Sequence, residues 1–427
     1  MVAILLISFS ILLFTRVPLI MALSGSVLVT FFLTAPRDLM VVPQIIFAAN
    51  DSFVLLAIPF FVLAGNIMEE GGISTRLVSL FEKLVGFLPG GLAVVTVISC
   101  TFFGAICGSA PATVAAIGTI LIPHMAKKGY QKEWSASLVA TSGTLGIIIP
   151  PSIPMVLFGV LSGTSIASIF AAGVLPGIFI AVCLIIFAMV FCYRRGIRGV
   201  GGASLKEIWR SFVSAAWALI MPVIILGGIY SGKFTPTESA VVAVVYGLLV
   251  GLFVYRELDF KKIPKILLSS AETSATIMLI ITTAAAFATI LMRNNIPNLV
   301  ANEIIGLSSS PMMFFFLFSV FMIILGCFMS VMPALIVLTP ILMPVVHALG
   351  ISPVHFGIIF IALMAIGTMT PPFGIDLLVS CGIAKVSVDK TTRQMWMFIV
   401  VYILATAILI LFPSISTFLP SLLGMRI

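Results

Sequence analysis

Runs of about 20 apolar residues, the length an α-helix needs to cross the hydrocarbon of a bilayer, recur from one end of this chain to the other. No polar stretch between them is long enough to make a separate folded unit. Lipid offers no partner to backbone N–H and C=O groups, so runs of this kind must satisfy themselves as helices. Charge agrees: 8% of the residues are charged, against about 25% in a soluble protein. The chain therefore reads as an all-α polytopic membrane protein. Uninterrupted spans are expected near residues 2–15, 19–34, 53–68, 168–192, 212–230, 237–255, 266–292 and 394–412. The first run has no basic segment before it and no small-residue cleavage site after it, so it is expected to stay as a span rather than act as a signal peptide.

Four further apolar regions, 89–126, 132–160, 311–346 and 352–384, are broken by Gly and Pro, and they come as two copies. Gly104-Ala-Ile-Cys-Gly-Ser-Ala-Pro111-Ala112 is matched by Gly326-Cys-Phe-Met-Ser-Val-Met-Pro333-Ala334, 222 positions later. Pro123 is matched by Pro344, and Gly146-Ile-Ile-Ile-Pro150-Pro151 by Gly367-Thr-Met-Thr-Pro371-Pro372, each 221 positions later. Two halves, 1–200 and 201–427, share one plan. If 89–126 and 311–346 each dip into the membrane and return, only Arg37, Lys233, Arg293 and Arg426 of the 22 basic residues fall on one side. Basic residues gather on the cytoplasmic side, so the first hairpin opens to the cytoplasm and the second to the opposite face. The expected architecture is an inverted-topology repeat with two re-entrant hairpins and two broken helices. Residues 193–210 form the joint between halves, and amphipathic stretches at 73–87 and 296–306 are expected to lie along the interface as bracing arms.

The net charge of +8 sits in short connections between spans, which sets orientation and excludes a nucleic-acid surface. Six cysteines stand singly inside or beside apolar runs, with no Cys-x-x-Cys pair, so neither a disulfide framework nor a metal centre is implied. No phosphate-binding Gly-Lys-Ser or Gly-Lys-Thr loop occurs. His124, His347 and His355 stand at hairpin ends or in the loop beyond, where packing at the interface is expected. Glu238 and Glu272 lie near segment ends and are expected to be structural. No paired carboxylates or Ser-His arrangement points to an enzyme, and no cofactor is implied. Energy is expected from an ion gradient.

Chemistry concentrates at the breaks. Proline removes a donor and obstructs the preceding turn, so Gly146–Pro151 and Gly367–Pro372 are each expected to split a helix in two. Discontinuous helices at matching positions of inverted halves mark a transporter's binding site. Small hard cations take oxygen ligands, which freed carbonyls and hydroxyls supply without burying a charge. One ion site per half is expected: Gly108 and Ser109 with Gly143, Thr144 and Gly146, and Ser330 with Gly367, Thr368 and Thr370. Helix N-termini released at the same breaks would face an anion, placing Ser109, Pro150, Pro151, Ser152, Thr370, Pro371, Pro372 and Asp376 around the substrate. A charge at a helix centre costs about 2.5–3.5 kcal/mol on insertion scales, so Asp376 is expected near cation or substrate.

At these residues the chain resembles the large membrane subunit of a tripartite ATP-independent periplasmic (TRAP) transporter, of the DctM-like family, over essentially its full length. The resemblance rests on Gly65-Asn66-Ile67-Met68, Gly104–Ala110 with Pro123–Tyr130, Gly143–Pro154, Ala172–Gly177, Thr235-Pro-Thr-Glu238 and Gly367–Gly374. It implies a sodium-coupled elevator in the bacterial inner membrane, in which a transport domain holding both hairpins slides against a scaffold. It also implies a periplasmic substrate-binding protein, a small four-helix membrane subunit as a separate chain, and a small organic anion such as a C4-dicarboxylate, sugar acid or sialic acid. One departure stands out: the family usually continues Pro-Pro-x-Gly with an apolar residue and Asn, where this chain has Ile375 and Asp376. Two alternatives stay open, a stand-alone sodium-coupled carboxylate carrier and an ion channel with matched broken helices as its filter.

Overall fold

The structure, a computed structural model, describes residues 1–15, 17–35, 39–197, 199, 201–307, 310–371 and 374–426. Arg16, Arg37 and Arg198, counted in the charge comparison, and Pro372, expected at the site, lie outside the described residues. Secondary structure among the described residues is helical throughout. The chain opens with α1 (Val2–Phe14), α2 (Leu19–Thr34), α3 (Val41–Asn50) and α4 (Ala57–Glu70), the last entered through a 3-10 turn at Phe53–Leu56. Then come α5 (Ile73–Val85), the hairpin α6 (Gly91–Cys107) and α7 (Ala110–Lys127), the broken helix α8 (Lys132–Gly143) and α9 (Ile153–Ser162), and α10 (Ile166–Arg194). The second half runs through α11 (Leu205–Tyr230), α12 (Pro236–Leu249) and α13 (Ile263–Arg293) to α14 (Ile296–Leu307), the hairpin α15 (Pro311–Gly326) and α16 (Val331–Ala348), and the broken helix α17 (Pro353–Met369) and α18 (Ile375–Ala384). It closes with α19 (Val388–Leu411) and α20 (Ser414–Leu422).

The repeat is visible element by element. α7 and α16 are both 18 residues long, and α9 and α18 are both 10. α10 carries its basic residue in its last turn (Arg194), whereas Lys390 and Arg393 stand near the start of α19. With basic ends on one side, the two run in opposite senses, as an inverted repeat requires. The halves also exchange contacts reciprocally: α9 packs on α16 and α18 on α7, while α19 packs on α8 and α10 on α17. Aromatic stacking locks this exchange, since Trp134 of α8 lies 5.0 Å from Phe191 of α10 and 5.7 Å from Phe398 of α19 between ring centroids.

Around this interlocked body, α13 packs on α2, α3 and α4, and α4 on α12. Seven helices among the described residues are long and apolar enough to cross a bilayer, and large apolar side chains such as Phe32, Phe47, Val223 and Phe316 are exposed around the outside, where lipid would meet them. The two amphipathic stretches are helices as expected. α5 is tied to the second half by Arg76, which pairs with Glu257 at 2.6 Å and lies 3.9 Å over the Tyr255 ring, and by Lys83, 3.8 Å from Glu207.

One boundary and two short helices differ from the sequence expectation for physical reasons. α11 begins ahead of 212 because Ser204 and Glu207 form a reciprocal capping box, a device worth about 1 kcal/mol. α3 and α20, of 10 and 9 residues, are too short to register against a 20-residue span.

Candidate substrate and ion site

The first hairpin turns at Gly108, in the left-handed region at φ 64°, where glycine carries no Cβ penalty. The turn is pressed onto the first break: a Cβ on Gly108 would sit 2.8 Å from the Pro151 carbonyl oxygen. Deeper in the hairpin, a Cβ on Gly104 would stand 2.5 Å from the Cα of Gly146. The second half repeats this contact, with 2.7 Å between a Cβ on Gly326 and the Cα of Gly367. These are the glycines whose spacing revealed the repeat. In each half they let the hairpin touch the broken helix backbone to backbone.

Between tip and break, the Ser109 carbonyl accepts from the Thr113 hydroxyl at 2.7 Å and from the Thr113 N–H at 3.1 Å. The Cys107 thiol lies 3.1 Å from the same hydroxyl. Thr144 donates to the Thr141 carbonyl at 2.7 Å and lies 3.1 Å from the Tyr402 hydroxyl of α19. Ser152 closes the break by donating to the Ile147 carbonyl at 2.7 Å, and the Pro150–Pro151 peptide is cis. At the second break Thr368 donates to Ala365 O at 2.8 Å and Thr370 to Ile366 O. Asp376, in the first turn of α18, is fully buried, and among the described residues neither carboxylate oxygen has a hydrogen bond of good geometry.

Both tips and both breaks open on one cavity of about 330 Å³. Gly108, Ser109 and Ala110 line it from the first hairpin, Ser330 and Val331 from the second, Ile147 and Ile153 from the first break, and Thr368 and Ile375 from the second. The outer wall is Gly65 and Asn66 of α4 with Thr273 and Ile277 of α13. Asn66 donates from Nδ2 to the Ser270 hydroxyl at 2.8 Å, and Ser270 in turn donates to Ile266 O at 2.7 Å. Because the Ser270 proton is committed to Ile266, Asn66 must present its NH2 there, which leaves its Oδ1 as an acceptor.

Four helices therefore begin at this cavity, since Ala110, Ile153, Val331 and Ile375 are the first residues of α7, α9, α16 and α18. None of the four has a side-chain cap. Four other helices do carry one, where Ser165, Ser204, Thr235 and Ser352 each accept from the backbone N–H three residues on. Uncapped N-termini leave backbone donors and the positive end of the helix dipole facing the space, although Pro111, Pro154 and Pro333 each take one donor away. Among the described residues lining the cavity there is no Lys, Arg, His, Asp or Glu. Such a lining can hold a small anion without a buried basic side chain.

Of the residues expected from sequence, Gly108, Ser109, Ser330 and Thr368 meet at the cavity. Gly143 and Gly146 pack against the hairpin, where Cβ atoms would stand 2.2 Å from Val114 Cγ2 and 2.7 Å from Thr113 Oγ1. Thr144, Pro150, Pro151, Ser152, Gly367, Thr370 and Asp376 are buried and Pro371 is half-buried, but none of them lines the cavity, and Pro372 is outside the described residues. The sequence reading gave no role to Asn66, Thr113, Thr273 or Tyr402. A polar Asn66 inside the apolar run 57–68 was the available signal, because polar groups in a span mark interior-facing positions.

Residues 6–415 match the family described as tripartite ATP-independent periplasmic transporter, DctM component. The chain is 39% identical over 411 residues to an isethionate TRAP transporter permease protein, DctMQ, of Oleidesulfovibrio alaskensis, covering 96% of this chain and 65% of that protein. It is 38% identical over 405 residues to a C4-dicarboxylate TRAP transporter large permease protein, DctM, of Pseudomonas aeruginosa, covering 95% and 94%. In fold it is similar to the YdaH transporter of Alcanivorax borkumensis, with a TM-score of 0.62 at 13% identity over 86% of this chain and 85% of that one. The chain thus belongs to the DctM component family of the tripartite ATP-independent periplasmic transporters, a family of transporter subunits rather than enzymes, and is a multi-pass protein of the inner membrane.

Proposed function

We propose that this chain is the permease of a sodium-coupled importer that carries a small organic anion by an elevator movement, receives it from a periplasmic binding protein, and stands beside a small membrane subunit. The observation that carries the reading is the convergence of four uncapped helix N-termini on one cavity that lacks basic side chains. Two of the relatives, named for isethionate and C4-dicarboxylate, are named for organic anions, in keeping with that lining.

In this reading the halves divide at 200/201, and the interlocked hairpins and broken helices move together as the transport body. α4 and α13 belong to the scaffold and supply the fixed wall of the cavity. One sodium ion per half is held at the tips, by Gly108 and Ser109 with the Gly143–Gly146 segment, and by Ser330 with Gly367, Thr368 and Thr370. A tenfold sodium gradient supplies about 1.4 kcal/mol per ion and 100 mV about 2.3 kcal/mol per charge moved, enough to concentrate a small anion.

The test is uptake of a labelled sulfonate or dicarboxylate into proteoliposomes holding this chain and its small subunit. The sodium gradient and the cognate binding protein are each present or absent. Uptake requiring both supports the reading. Uptake with sodium alone would assign a stand-alone carrier, and uptake indifferent to sodium would remove the coupling.

A further inference from the structure

Asp376 lies one layer behind the cavity, with Thr368 between the two, since Thr368 both lines the cavity and stands beside the Asp376 carboxylate. Asp376 is 0% exposed, and no ion pair to it occurs among the described residues. α18 packs on α7, α8, α17 and α19. The charged and titratable groups of those helices, namely His124 and Lys127, Lys132 and Glu133, His355, and Asp389, Lys390 and Arg393, sit in end turns, and only Tyr402 of α19 lies within electrostatic reach of the carboxylate.

The neighbouring hydroxyls do not supply donors. Thr368 Oγ1 gives its proton to Ala365 O at 2.8 Å. Thr144 Oγ1 gives its proton to Thr141 O at 2.7 Å, so the 3.1 Å contact between Thr144 and Tyr402 is satisfied only by the tyrosine proton. Neither hydroxyl makes a hydrogen bond of good geometry to the carboxylate among the described residues. Behind them the Thr368 and Thr370 carbonyl oxygens both stand 2.8 Å from the place a Cβ on Gly374 would take, two residues before Asp376. The Thr370 carbonyl accepts from Gly374 N–H at 3.1 Å, whereas the Asp376 carboxylate has no such donor among the described residues, and a buried carboxylate is tolerated only when a proton or a cation joins it. The start of α18 helps tolerate the carboxylate but adds no hydrogen bond of good geometry to it.

We infer that Asp376, Thr368 and Tyr402 form a carboxylate site for Na+ at the seam between the halves, distinct from the hydroxyl-and-carbonyl sites at the hairpin tips. It takes residues from the second break and from α19, with Thr144 of the first break holding the tyrosine hydroxyl in orientation. The bound ion neutralises Asp376, so this site adds a cation without adding positive charge beside the anion. Thr368, shared with the cavity lining, makes ion occupancy and cargo occupancy interdependent. The inference rests on the sodium-coupled reading above.

The test is Na+ binding to the full chain in lipid nanodiscs without cargo, read as the unfolding midpoint against NaCl, with choline chloride holding ionic strength, and as 22Na+ bound per chain. Because an ion that binds only the folded state raises its stability, the wild-type midpoint is expected to climb with NaCl and not with choline chloride. Asp376→Asn, nearly isosteric, is expected to bind about one ion fewer per chain and to raise the half-saturating NaCl by about tenfold or more, the scale on which loss of a metal site's supporting group acts. Tyr402→Phe is expected to shift the same titration in the same direction by less. A wild type that responds to Na+ while Asp376→Asn binds as many ions with the same midpoint would overturn this site and leave the coupling intact. A wild type with no Na+ response would overturn the coupling itself.

Discussion

At the scale of single residues, the sharpest constraints are glycines that stand where no side chain fits. Gly104 against Gly146 and Gly326 against Gly367 oppose backbone to backbone, so an added methyl has no flexible neighbour to push aside. Gly104→Ala and Gly367→Ala are each expected to cost about 1–3 kcal/mol, the range for overpacking a close contact, read as a lowered unfolding midpoint together with lost uptake. Gly382 on α18 has nothing within 4 Å of its Cβ position, and Gly382→Ala is expected to hold or slightly raise the midpoint, since Ala is the better helix former. An equal loss in both would mean that the hairpin contact is not close-packed. Asn66 makes a different kind of case. It lines the cavity and its NH2 is engaged by Ser270, which leaves its Oδ1 as an acceptor, so Asn66→Ala is expected to raise KM for the cargo several-fold with little change in the unfolding midpoint. Ser270→Ala is expected to follow it with a smaller rise.

Elements show the same economy in their ends. Four helices away from the cavity are capped, among them α12 by Thr235 and Glu238, whose two reciprocal bonds measure 3.2 and 2.8 Å. The resemblance motif Thr235-Pro-Thr-Glu238 is thus a helix start, with Pro236 at its first position. Thr235→Ala is expected to lower stability by about 1 kcal/mol and to leave KM unchanged. Ser109 and Ser330 occupy the same cap position on α7 and α16 but make no cap bond. Ser109→Ala and Ser330→Ala are therefore expected to stay within about 0.5 kcal/mol of wild type in stability while weakening sodium-dependent uptake. Wild-type sodium dependence in both would remove the tip sites. A stability loss as large as that of Thr235→Ala would mean that the serines serve the helices.

For the whole molecule, the question is whether the hairpins move against α4 and α13. Gly65 of α4 touches the first tip: a Cβ there would lie 3.1 Å from Cys107 Cβ, a few tenths of an ångström short of the usual disulfide separation of about 3.5–4.5 Å, so a small outward shift brings the two into bonding range. Gly65→Cys is expected to form a disulfide with Cys107 under mild oxidation and to stop uptake, with recovery on reduction. If the cross-linked protein transports at the wild-type rate, the tip does not leave α4 during the cycle and the elevator reading fails.

Apolar runs, prolines and glycines act locally, through the demand that lipid places on every backbone group. The helices, their breaks and the twofold plan could accordingly be read from spacing, as could Ser109, Ser330 and Thr368 among the residues that line the cavity. Contacts between distant elements leave no such periodic mark. The exchange of α9 onto α16 and α18 onto α7, the bond of Asn66 to Ser270 across 204 residues, and the reach of Tyr402 to Thr144 across 258 follow from helix surfaces fitting together. In a membrane that fit turns on close packing and shared hydrogen bonds rather than on an apolar stripe. The full burial of Asp376 belongs to the same class: the sequence places a carboxylate in an apolar segment, and only the packed halves decide what surrounds it.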